Sequence, residues 1–303
     1  MLLPSHPIER ARPLLGTIVR IRIQGLPSDL ANDAIDAAFG LLADIHRLMS
    51  FHEPSSELSH LNRKASYGPV PVSSHTQAVL SHALELSRVS GGLFDPTIAL
   101  ALVEDGLLPA LPGVRPDPEA DWNDVTISPD GVVSFAKPLW LDLGGIAKGY
   151  AVDCAFDYLA ARSPTHLCVE AGGDLRLMGP VPELIYLSTS HRGSAIPAIH
   201  LENAALASSG SQTSMVCSNS TNDSRLICPH IDPRSGQSCK ADRFVSVVAP
   251  CCIDADALTK VVMAAGKSAT PVLERHHAMA FMMDDNAWTS ICSNQPMPIS
   301  VDF

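Results

Sequence analysis

A glycine-rich segment followed by a lysine is the part of the sequence whose residue types point most directly to chemistry. Residues 141–153 read LDLGGIAKGYAVD and pass from an apolar strand through Gly144 and Gly145 into a helix that carries Lys148 near its first turn. Glycines let the backbone approach a ligand closely, and free amides at a helix start attract anions, to which a lysine adds a full charge. The segment is therefore typical of a phosphate site, although it is neither GxxxxGK[ST] nor GxGxxG. A tight turn with a surface lysine explains the same residues at least as well.

Two further glycine pairs stand beside residues that could contact a ligand. In SGGLFDPT, residues 90–97, Phe94 could stack on a ring and Asp95 could accept a hydrogen bond from an N–H or O–H group. In VEAGGDL, residues 169–175, the carboxylate of Asp174 could hold a sugar or ribityl hydroxyl. Taken alone, each has a simpler interpretation, Phe94 as a core residue and the second pair as an ordinary turn after a strand.

Two residues nearer the C-terminus could act on a charged substrate. His230 precedes the Asp-Pro-Arg turn of PHIDPRSG, and a histidine titrates near neutral pH. Asp256, near the start of the last predicted helix, could coordinate a hard cation such as Mg²⁺ through oxygen. The competing interpretations are structural. A histidine beside a turn is usually part of the fold, and Asp256 could pair with Lys260, four residues later on the same helix face, which stabilises a helix by about 0.2–0.5 kcal/mol.

The elements that must position these residues follow from the hydrophobic pattern. Residues 15–24 alternate with period two and predict a strand, whereas apolar residues at three- and four-residue steps predict a helix over 29–48. The other predicted strands flank the turn at 129–131, end before Gly172, and lie at 184–190, 194–201 and 244–250. The other predicted helices lie at 76–87, 149–161 and 254–265, and the proline-rich residues 108–118 predict a surface loop. Because strands come in groups separated by single helices, we expect an α+β fold and not a doubly wound sheet.

Length and composition narrow the class of protein. The 303 residues, 46% hydrophobic and 17% charged, are typical of a globular chain, either one large domain over 1–303 or two interleaved lobes. Aspartate and glutamate total 32 against 21 lysine and arginine residues, so the net charge is −11. This charge argues against a nucleic-acid partner bound through a general basic surface.

Targeting segments and cysteine patterns are also informative. We find no apolar run near the roughly 18 residues that span a bilayer, and the opening residues 1–17 hold prolines and charges where a signal peptide is apolar. We therefore expect no membrane insertion and a cytoplasmic location.

The eight cysteines form no CxxC pair, which argues against a zinc knuckle, and we expect most of them to be buried thiols.

Taken in order, these motifs resemble the ApbE family, the FAD:protein FMN transferases. The resemblance begins at LLGT (14–17), continues through MSFHEPSSELSHLN (49–62), GGLFDPT, LDLGGIAKGYAVD, EAGGDL, ASSG (207–210) and DPRSG, and finishes at DADAL (254–258). It covers nearly the whole chain. LDLGGIAKGYAVD is the most specific motif, and the ordered set is far more specific than any one member.

The resemblance implies an α+β architecture of the T-fold kind, with an FAD-binding cleft between lobes. It also implies Mg²⁺-dependent transfer of the FMN moiety of FAD to a threonine or serine of a target flavoprotein, with release of AMP. Leu15 and Phe51 would line the flavin site. Further contacts to the cofactor would come from Leu93, Phe94, Asp95, Lys148, Asp174 and Ile231. The Gly145 carbonyl and the Asp256 carboxylate would bind Mg²⁺, and His230 would be the base for the acceptor hydroxyl.

The sequence departs from the family pattern at the metal site. The family has a threonine four residues after the metal-binding aspartate, and here that position is Lys260. An ammonium group cannot ligate a cation, but it could take the place of Mg²⁺ and neutralise part of the pyrophosphate charge. Thr259 could alternatively supply the oxygen after a local shift, although one helical step rotates a side chain by about 100°.

A second departure concerns the base. The family histidine lies three residues before the turn aspartate, where this chain has Pro229, and His230 is only two residues before Asp232. Because one step along a strand reverses the face, His230 would point away from the site unless a bulge brings it back.

Two other activities therefore remain as alternatives to FMN transfer. The chain could be a non-catalytic FAD-binding protein in which Lys260 replaces the metal ligand. It could also be an FAD pyrophosphatase that gives FMN and AMP, with water in place of the acceptor.

Overall fold

The structure is a computed structural model of the 303-residue chain. It describes residues 6–113, 115–187, 198–210, 214–217, 224–285, 287–291 and 299–302, with the backbone alone at 214–217, 224–227 and 299–302.

The described strands are β1 (Ile8–Leu14), β2 (Thr17–Gln24), β3 (Val70–Pro71), β4 (Val125–Ile127), β5 (Val132–Phe135), β6 (His166–Ala171), β7 (Asp174–Met178), β8 (Glu183–Tyr186), β9 (Ala198–Leu201), β10 (Ala205–Gly210), β11 (Ser214–Cys217), β12 (Ser224–Ile227), β13 (Ile231–Asp232), β14 (Gln237–Ser238), β15 (Phe244–Ala249), β16 (Met279–Asp284), β17 (Ala287–Ile291) and β18 (Ile299–Asp302). An eight-stranded antiparallel sheet forms the centre of the fold, in the order β1-β2-β6-β7-β10-β15-β16-β17. Two three-stranded sheets, β18-β9-β8 and β3-β5-β4, and the hairpins β11-β12 and β13-β14 contain the other described strands.

The described α-helices are α1 (Ser28–Met49), α2 (Glu57–Lys64), α3 (Ser74–Ser90), α4 (Ala99–Glu104), α5 (Ala147–Ala160), α6 (Cys252–Ala265) and α7 (Thr270–Arg275). Helices α1, α5 and α6 pack side by side on one face of the central sheet, with α5 in the middle. Helix α1 shows why this layer forms, because its buried residues Ile35, Leu42 and Met49 recur at helical spacing and face the sheet and α5. The layer brings the starts of α5 and α6 together.

The opposite face of the sheet carries a smaller apolar cluster. Leu177 and Leu206 of the central sheet are buried in one cluster with Ile199 and Leu201 of β9, so the sheet β18-β9-β8 packs over this face. The main core lies under the helices and extends from Val19 to Ile291.

The α+β fold class expected from the sequence is confirmed. The helices predicted at 29–48, 76–87, 149–161 and 254–265 correspond to α1, α3, α5 and α6, with ends shifted by up to three residues. The strands predicted around the turn at 129–131 are β4 and β5, and residues 108–118 lie in no described helix or strand. Parts of the strands predicted at 184–190 and 194–201 are seen as β8 and β9, while residues 188–197 lie outside the described chain.

The predicted strand at 15–24 is wrong at its start. Leu15 and Gly16 form a two-residue turn with φ of 55° and 71°, and the antiparallel strands β1 and β2 pair up to Leu14 and Thr17 on either side of it. Positive φ at both turn residues matches the twist of a hairpin, which explains why this loop can be so short. A leucine in this conformation is strained, and the turn fixes it at a rim of the cleft described below.

Within the described residues, no helix combines the length and apolarity needed to cross a bilayer. Six cysteines have described side chains, of which Cys228 and Cys252 are buried and the other four half-buried.

Candidate functional site

The glycine-rich segment predicted as a phosphate site is anchored on both sides. The buried amide of Asn62 holds Leu141 through two hydrogen bonds, donating to its carbonyl at 2.9 Å and accepting from its N–H at 2.8 Å. The Asp142 N–H donates to the Pro96 carbonyl at 2.8 Å, which ties this segment to the SGGLFDPT loop. Two motifs about 50 residues apart in the sequence therefore meet at one wall.

Gly149 allows α5 and α6 to approach closely. A Cβ atom at this position would lie 2.2 Å from the Cys252 carbonyl oxygen and 2.8 Å from the Asp256 Cβ, so any side chain would force the helices apart. With glycine there, its N–H donates to Asp256 Oδ2 at 3.1 Å. The start of α5 thus binds the carboxylate that α6 presents.

Two lysine–aspartate pairs lie behind this contact. The ammonium of Lys148 is hydrogen-bonded to Asp174 Oδ2, and Lys260 Nζ lies 2.5 Å from Asp256 Oδ1 and 3.2 Å from the Asp256 carbonyl. The side chains of Asp174 and Asp256 are 1% and 0% exposed, whereas those of Lys148 and Lys260 are 31% and 21% exposed. The four charges are therefore layered, with carboxylates inside and ammonium groups toward solvent.

The pKa shifts follow from this layering. Burial alone would raise the pKa of Asp256, but the charges of Lys260 and Lys148 outweigh it, so the net pKa is lowered and the carboxylate stays ionised. Burial raises the pKa of Asp174 to about 6, and the neighbouring Asp256 charge adds to this rise while Lys148 opposes it. Burial lowers the pKa of Lys148, yet the charges of Asp256 and Asp174 more than reverse that effect and leave it raised. Lys148 is accordingly a permanent cation.

Two adjoining pockets open along the glycine segment and share the walls Asp142 and Gly144. The first has about 650 Å³ of empty space including its open mouth and also contains Lys260 in its wall. The predicted site residues that line it are Leu93, Phe94, Asp95, Gly145, His230 and Ile231. The second has about 890 Å³ and is lined by the predicted residues Leu15, Phe51 and Lys148. The structure thus brings nine of the predicted residues to one continuous cleft.

Asp174 and Asp256, the two remaining predicted residues, do not line either pocket. Asp174 lies beneath Lys148, and one of its oxygens, Oδ1, is buried and has no hydrogen-bond partner among the residues that the structure describes. A direct bond from its carboxylate to a ribityl hydroxyl does not fit its 1% exposure.

His230 faces the cleft. The chain bends at Pro229 before β13 begins at Ile231, so the alternation of a regular strand does not apply to His230 and the outward orientation considered from the sequence is not adopted. Burial and the nearby Lys260 charge lower the pKa of His230 to about 4, against an opposing hydrogen bond to the Gly210 backbone. The imidazole is therefore neutral at pH 7 and can accept a proton.

The residues expected to bind Mg²⁺ do not fit that ion. Asp256 Oδ1 is held by Lys260 and Oδ2 by the Gly149 N–H, and the Lys260 stem packs against Gly145, with Cε 3.4 Å from an ideal Cβ position there. Thr259 offers no substitute oxygen, because its buried hydroxyl donates to the Asp256 carbonyl at 2.6 Å and contacts Ser209 Oγ at 2.7 Å. The cation present beside Asp256 is the Lys260 ammonium.

A separate acidic cluster could hold an ion in principle. Among the described residues, Asp242, Asp284 and Asp285 bring carboxylate oxygens within 4.8 Å of one another. Lys240 and Arg243 already pair with Asp284, at 3.1 and 2.7 Å, so the cluster has its own counter-charges.

Sequence reasoning missed one residue of the cleft that the structure makes central. Asp142 stands in both pockets and accepts from the Gly144 N–H at 3.2 Å, and burial raises the pKa of its carboxyl. Its position inside LDLGG, two residues before the glycine pair, was the available signal. The sequence does not show that the contact with Pro96 turns this residue into the partition between two pockets.

Curated proteins that are similar in sequence to this chain are named FAD:protein FMN transferase. The FAD:protein FMN transferase of Vibrio cholerae is 28% identical over 282 residues, covering 87% of this chain and 83% of that protein. The enzyme of the same name from Haemophilus influenzae is 27% identical, with 88% and 82% covered.

Solved structures of ApbE proteins have the same fold as this chain. The flavin transferase ApbE from Vibrio cholerae has a TM-score of 0.79 and 26% identity, covering 96% of this chain and 98% of that one. The ApbE protein from Thermotoga maritima, at 23% identity, shares the fold with a TM-score of 0.82 and 95% and 97% coverage. The model of the ApbE family matches residues 15–283, so the chain belongs to the ApbE family.

Proposed function

We propose that this protein transfers the FMN moiety of FAD to a threonine or serine hydroxyl of a target flavoprotein and releases AMP. The observation that carries the proposal is the continuous cleft in which a glycine-built wall, two outward-facing ammonium groups and a neutral histidine meet. This is the set of groups that phosphoryl transfer requires, namely cations for the phosphates and a base for the incoming hydroxyl. The FMN transferase name of the curated relatives supports the same activity.

The two pockets suit the two halves of FAD. The pocket between Leu15 and Phe51 is mostly apolar and takes the flavin ring, while the pocket beside Phe94 and Ile231 takes the adenosine half. Their shared wall at Gly144 then lies along the pyrophosphate, within reach of Lys148 and Lys260.

The chemical step follows from this placement. The acceptor hydroxyl oxygen forms a bond to the FMN phosphorus, and the bond from that phosphorus to the bridging oxygen breaks, so AMP leaves with the bridging oxygen and its electron pair. The hydroxyl proton passes to His230. The low pKa of free His230 keeps the imidazole unprotonated, and the negative pyrophosphate beside it raises its basicity once FAD is bound. Lys260, in the wall of the pocket that takes the adenosine half, offsets the charge that develops on the leaving phosphate, and Lys148 offsets charge on the FMN phosphate.

The chain-wide organisation is part of the same proposal. We infer that residues 1–303 form a single domain, because one buried apolar cluster includes residues from Val19 to Ile291. The cytoplasmic location stays a prediction from the sequence, which fractionation of cells that produce the protein would test.

The activity can be tested without knowing the acceptor. The purified chain is incubated with FAD and a lysate of its host, and flavin fluorescence is read in a denaturing gel, with a heat-inactivated chain as the control. A fluorescent band whose flavin maps by mass spectrometry to a threonine or serine phosphoester supports the proposal. Release of FMN and AMP without a labelled protein would identify FAD hydrolysis instead. Intact bound FAD with neither product would identify a non-catalytic FAD-binding protein.

A further inference from the structure

We propose that the ammonium group of Lys260 binds the pyrophosphate of FAD in the place where a divalent cation would otherwise stand, so that this site binds FAD without metal. The proposal rests on the proposed function only for the identity of the ligand. It is carried by the contacts of Lys260 with Asp256 and Gly145.

The position of Lys260 Nζ is fixed by the protein itself. Two of its three N–H groups have acceptors on Asp256, the carboxylate Oδ1 at 2.5 Å and the backbone carbonyl at 3.2 Å. The side chain is 21% exposed and lines the first pocket, so the remaining N–H is available to a ligand there. Asp256 holds the ammonium group and the Cγ and Cε atoms of the stem lie against Gly145, so little conformational entropy is lost on binding.

The arrangement leaves Asp256 without a free oxygen facing the cleft. Its Oδ2 accepts from the Gly149 N–H and its Oδ1 from Lys260, and its side chain is 0% exposed. A divalent ion bound to this carboxylate would lie against the ammonium, and two adjacent cations repel each other. Lys260 and a metal ion are therefore alternatives at this position.

The charge pattern suits an anion on the cleft side. Lys148 and Lys260 both lie in front of a buried carboxylate, which keeps each lysine charged while the ammonium groups remain the nearer charges for a ligand. The start of α5, which carries Lys148 and whose Gly149 N–H already binds Asp256, adds a positive partial charge beside them. A pyrophosphate dianion placed along Gly144 and Gly145 meets both lysines without an ion between them.

The test measures FAD binding by isothermal titration calorimetry to the full chain, freed of flavin and metal, in EDTA and in Mg²⁺. We expect the wild-type dissociation constant to differ by less than about threefold between the two buffers. Lys260→Thr should bind FAD at least tenfold more weakly in EDTA and recover in Mg²⁺, because it frees Asp256 and adds a hydroxyl. Lys260→Met should be weak in both buffers, and Lys260→Arg should keep metal-independent binding.

Two controls isolate the pyrophosphate contact. Lys240→Thr removes one positive charge from the surface pair with Asp284 and should leave FAD binding unchanged in both buffers. Riboflavin, which lacks the pyrophosphate, should bind equally to wild type and Lys260→Thr. Circular dichroism of each variant confirms that it is folded before titration, and Lys260→Arg provides the informative comparison if the two neutral variants do not fold.

The outcomes distinguish failure of this inference from failure of the proposed function. Wild-type binding that weakens tenfold or more in EDTA overturns the inference while FMN transfer can still stand. Tight binding by Lys260→Met in EDTA overturns the role of Lys260 specifically. Absence of FAD binding in both buffers overturns the inference and the proposed function together. Metal-independent FAD binding without any FMN transfer overturns only the proposed function.

Discussion

Asp153 on α5 caps the start of α6 at Cys252. Its two carboxylate oxygens accept hydrogen bonds from the Cys252 N–H at 2.9 Å and from the Ile253 N–H at 2.8 Å, and Arg176 pairs with the same carboxylate at 2.9 Å. The last residue of the LDLGGIAKGYAVD motif therefore orients the helix that carries Asp256 and Lys260. A motif identified by its glycines and lysine thus also contains Asp153, the residue that positions Asp256 and Lys260.

Asp153→Ala should lower the free energy of unfolding by about 2 kcal/mol, because it leaves helix amides and Arg176 without their buried partner. It should also weaken FAD binding, since α6 loses its orientation. Urea denaturation and calorimetry measure the two effects. Asp157→Ala is the matched control, because Asp157 pairs with the same Arg176 but its side chain is 67% exposed. Equal destabilisation by both variants would contradict the capping role.

Gly149→Ala should destabilise the protein by about 1–3 kcal/mol, because its Cβ would overlap the Cys252 carbonyl at the contact of α5 with α6. The measurement is the midpoint and slope of urea denaturation. Gly40→Ala, on an exposed face of α1 where an added Cβ meets nothing within 4 Å, should instead stabilise by about 0.5–1 kcal/mol. If both substitutions stabilised the chain, close helix packing at Gly149 would be refuted.

The sequence predicts the parts of this fold that depend on local periodicity. Helix α1 is a clear case, because its buried residues repeat at helical steps whatever packs against them. The hairpin before it is not predictable in this way. Strand β1 is exposed along most of its length, so it carries no apolar alternation, and the turn depends on positive φ at Leu15, a residue type that seldom adopts it.

The residues of the candidate site divide in the same way, into those that the local sequence predicts and those whose position depends on packing between distant segments. The order of the motifs is enough to identify most residues of the cleft, such as Phe94 and Lys148, because each stands beside a glycine pair. The depth of a side chain is set by packing between distant segments, so Asp174 is predicted as a ligand contact and is found beneath Lys148. The orientation of His230 likewise depends on the bend at Pro229, which the alternation rule for strands does not include.

Lys148→Met should weaken FAD binding by about 10- to 100-fold, because a charge-assisted hydrogen bond to phosphate contributes about 1.5–3 kcal/mol. Riboflavin lacks the pyrophosphate and should lose less than threefold. Fluorescence titration of both ligands gives the ratio. The single variant leaves the buried Asp174 carboxylate without its Lys148 partner. The double variant Lys148→Met with Asp174→Asn removes that unpaired charge and should show the same loss of FAD affinity. Losses of equal size for FAD and riboflavin would argue against a pyrophosphate contact.

His230→Ala should reduce the rate of FMN transfer by about 10²- to 10⁴-fold, the usual contribution of a general base, and change FAD affinity only a few-fold. The wild-type pH profile gives a second readout. Because the pKa of His230 is about 4 in the free protein, kcat/KM should stay nearly constant from pH 7 down to about pH 5 and fall below that. An acid limb centred near pH 6.5 would show that an unshifted group, and not this buried imidazole, limits the reaction.

Asp95→Asn should stabilise the protein at neutral pH. Burial raises the pKa of Asp95 to about 6 from 3.8, although Thr97 donates two hydrogen bonds to its Oδ1, at 2.7 Å from N and 2.6 Å from Oγ1. The folded protein therefore holds this proton more tightly than the unfolded chain does. As the pH rises from about 3.8 to about 6, ionisation of Asp95 lowers the free energy of unfolding, and the full loss is present above about pH 6. Asparagine keeps the acceptor oxygen and removes the charge.

The expected gain for Asp95→Asn is about 1–3 kcal/mol in the free energy of unfolding at pH 7.5 and close to zero at pH 4. Urea denaturation of wild type and variant at both pH values measures it. Asp130→Asn, at the exposed turn between β4 and β5, is the control and should change stability by less than about 0.5 kcal/mol at either pH. A gain at pH 4 as large as that at pH 7.5 would mean that packing, and not the buried charge of Asp95, sets the difference.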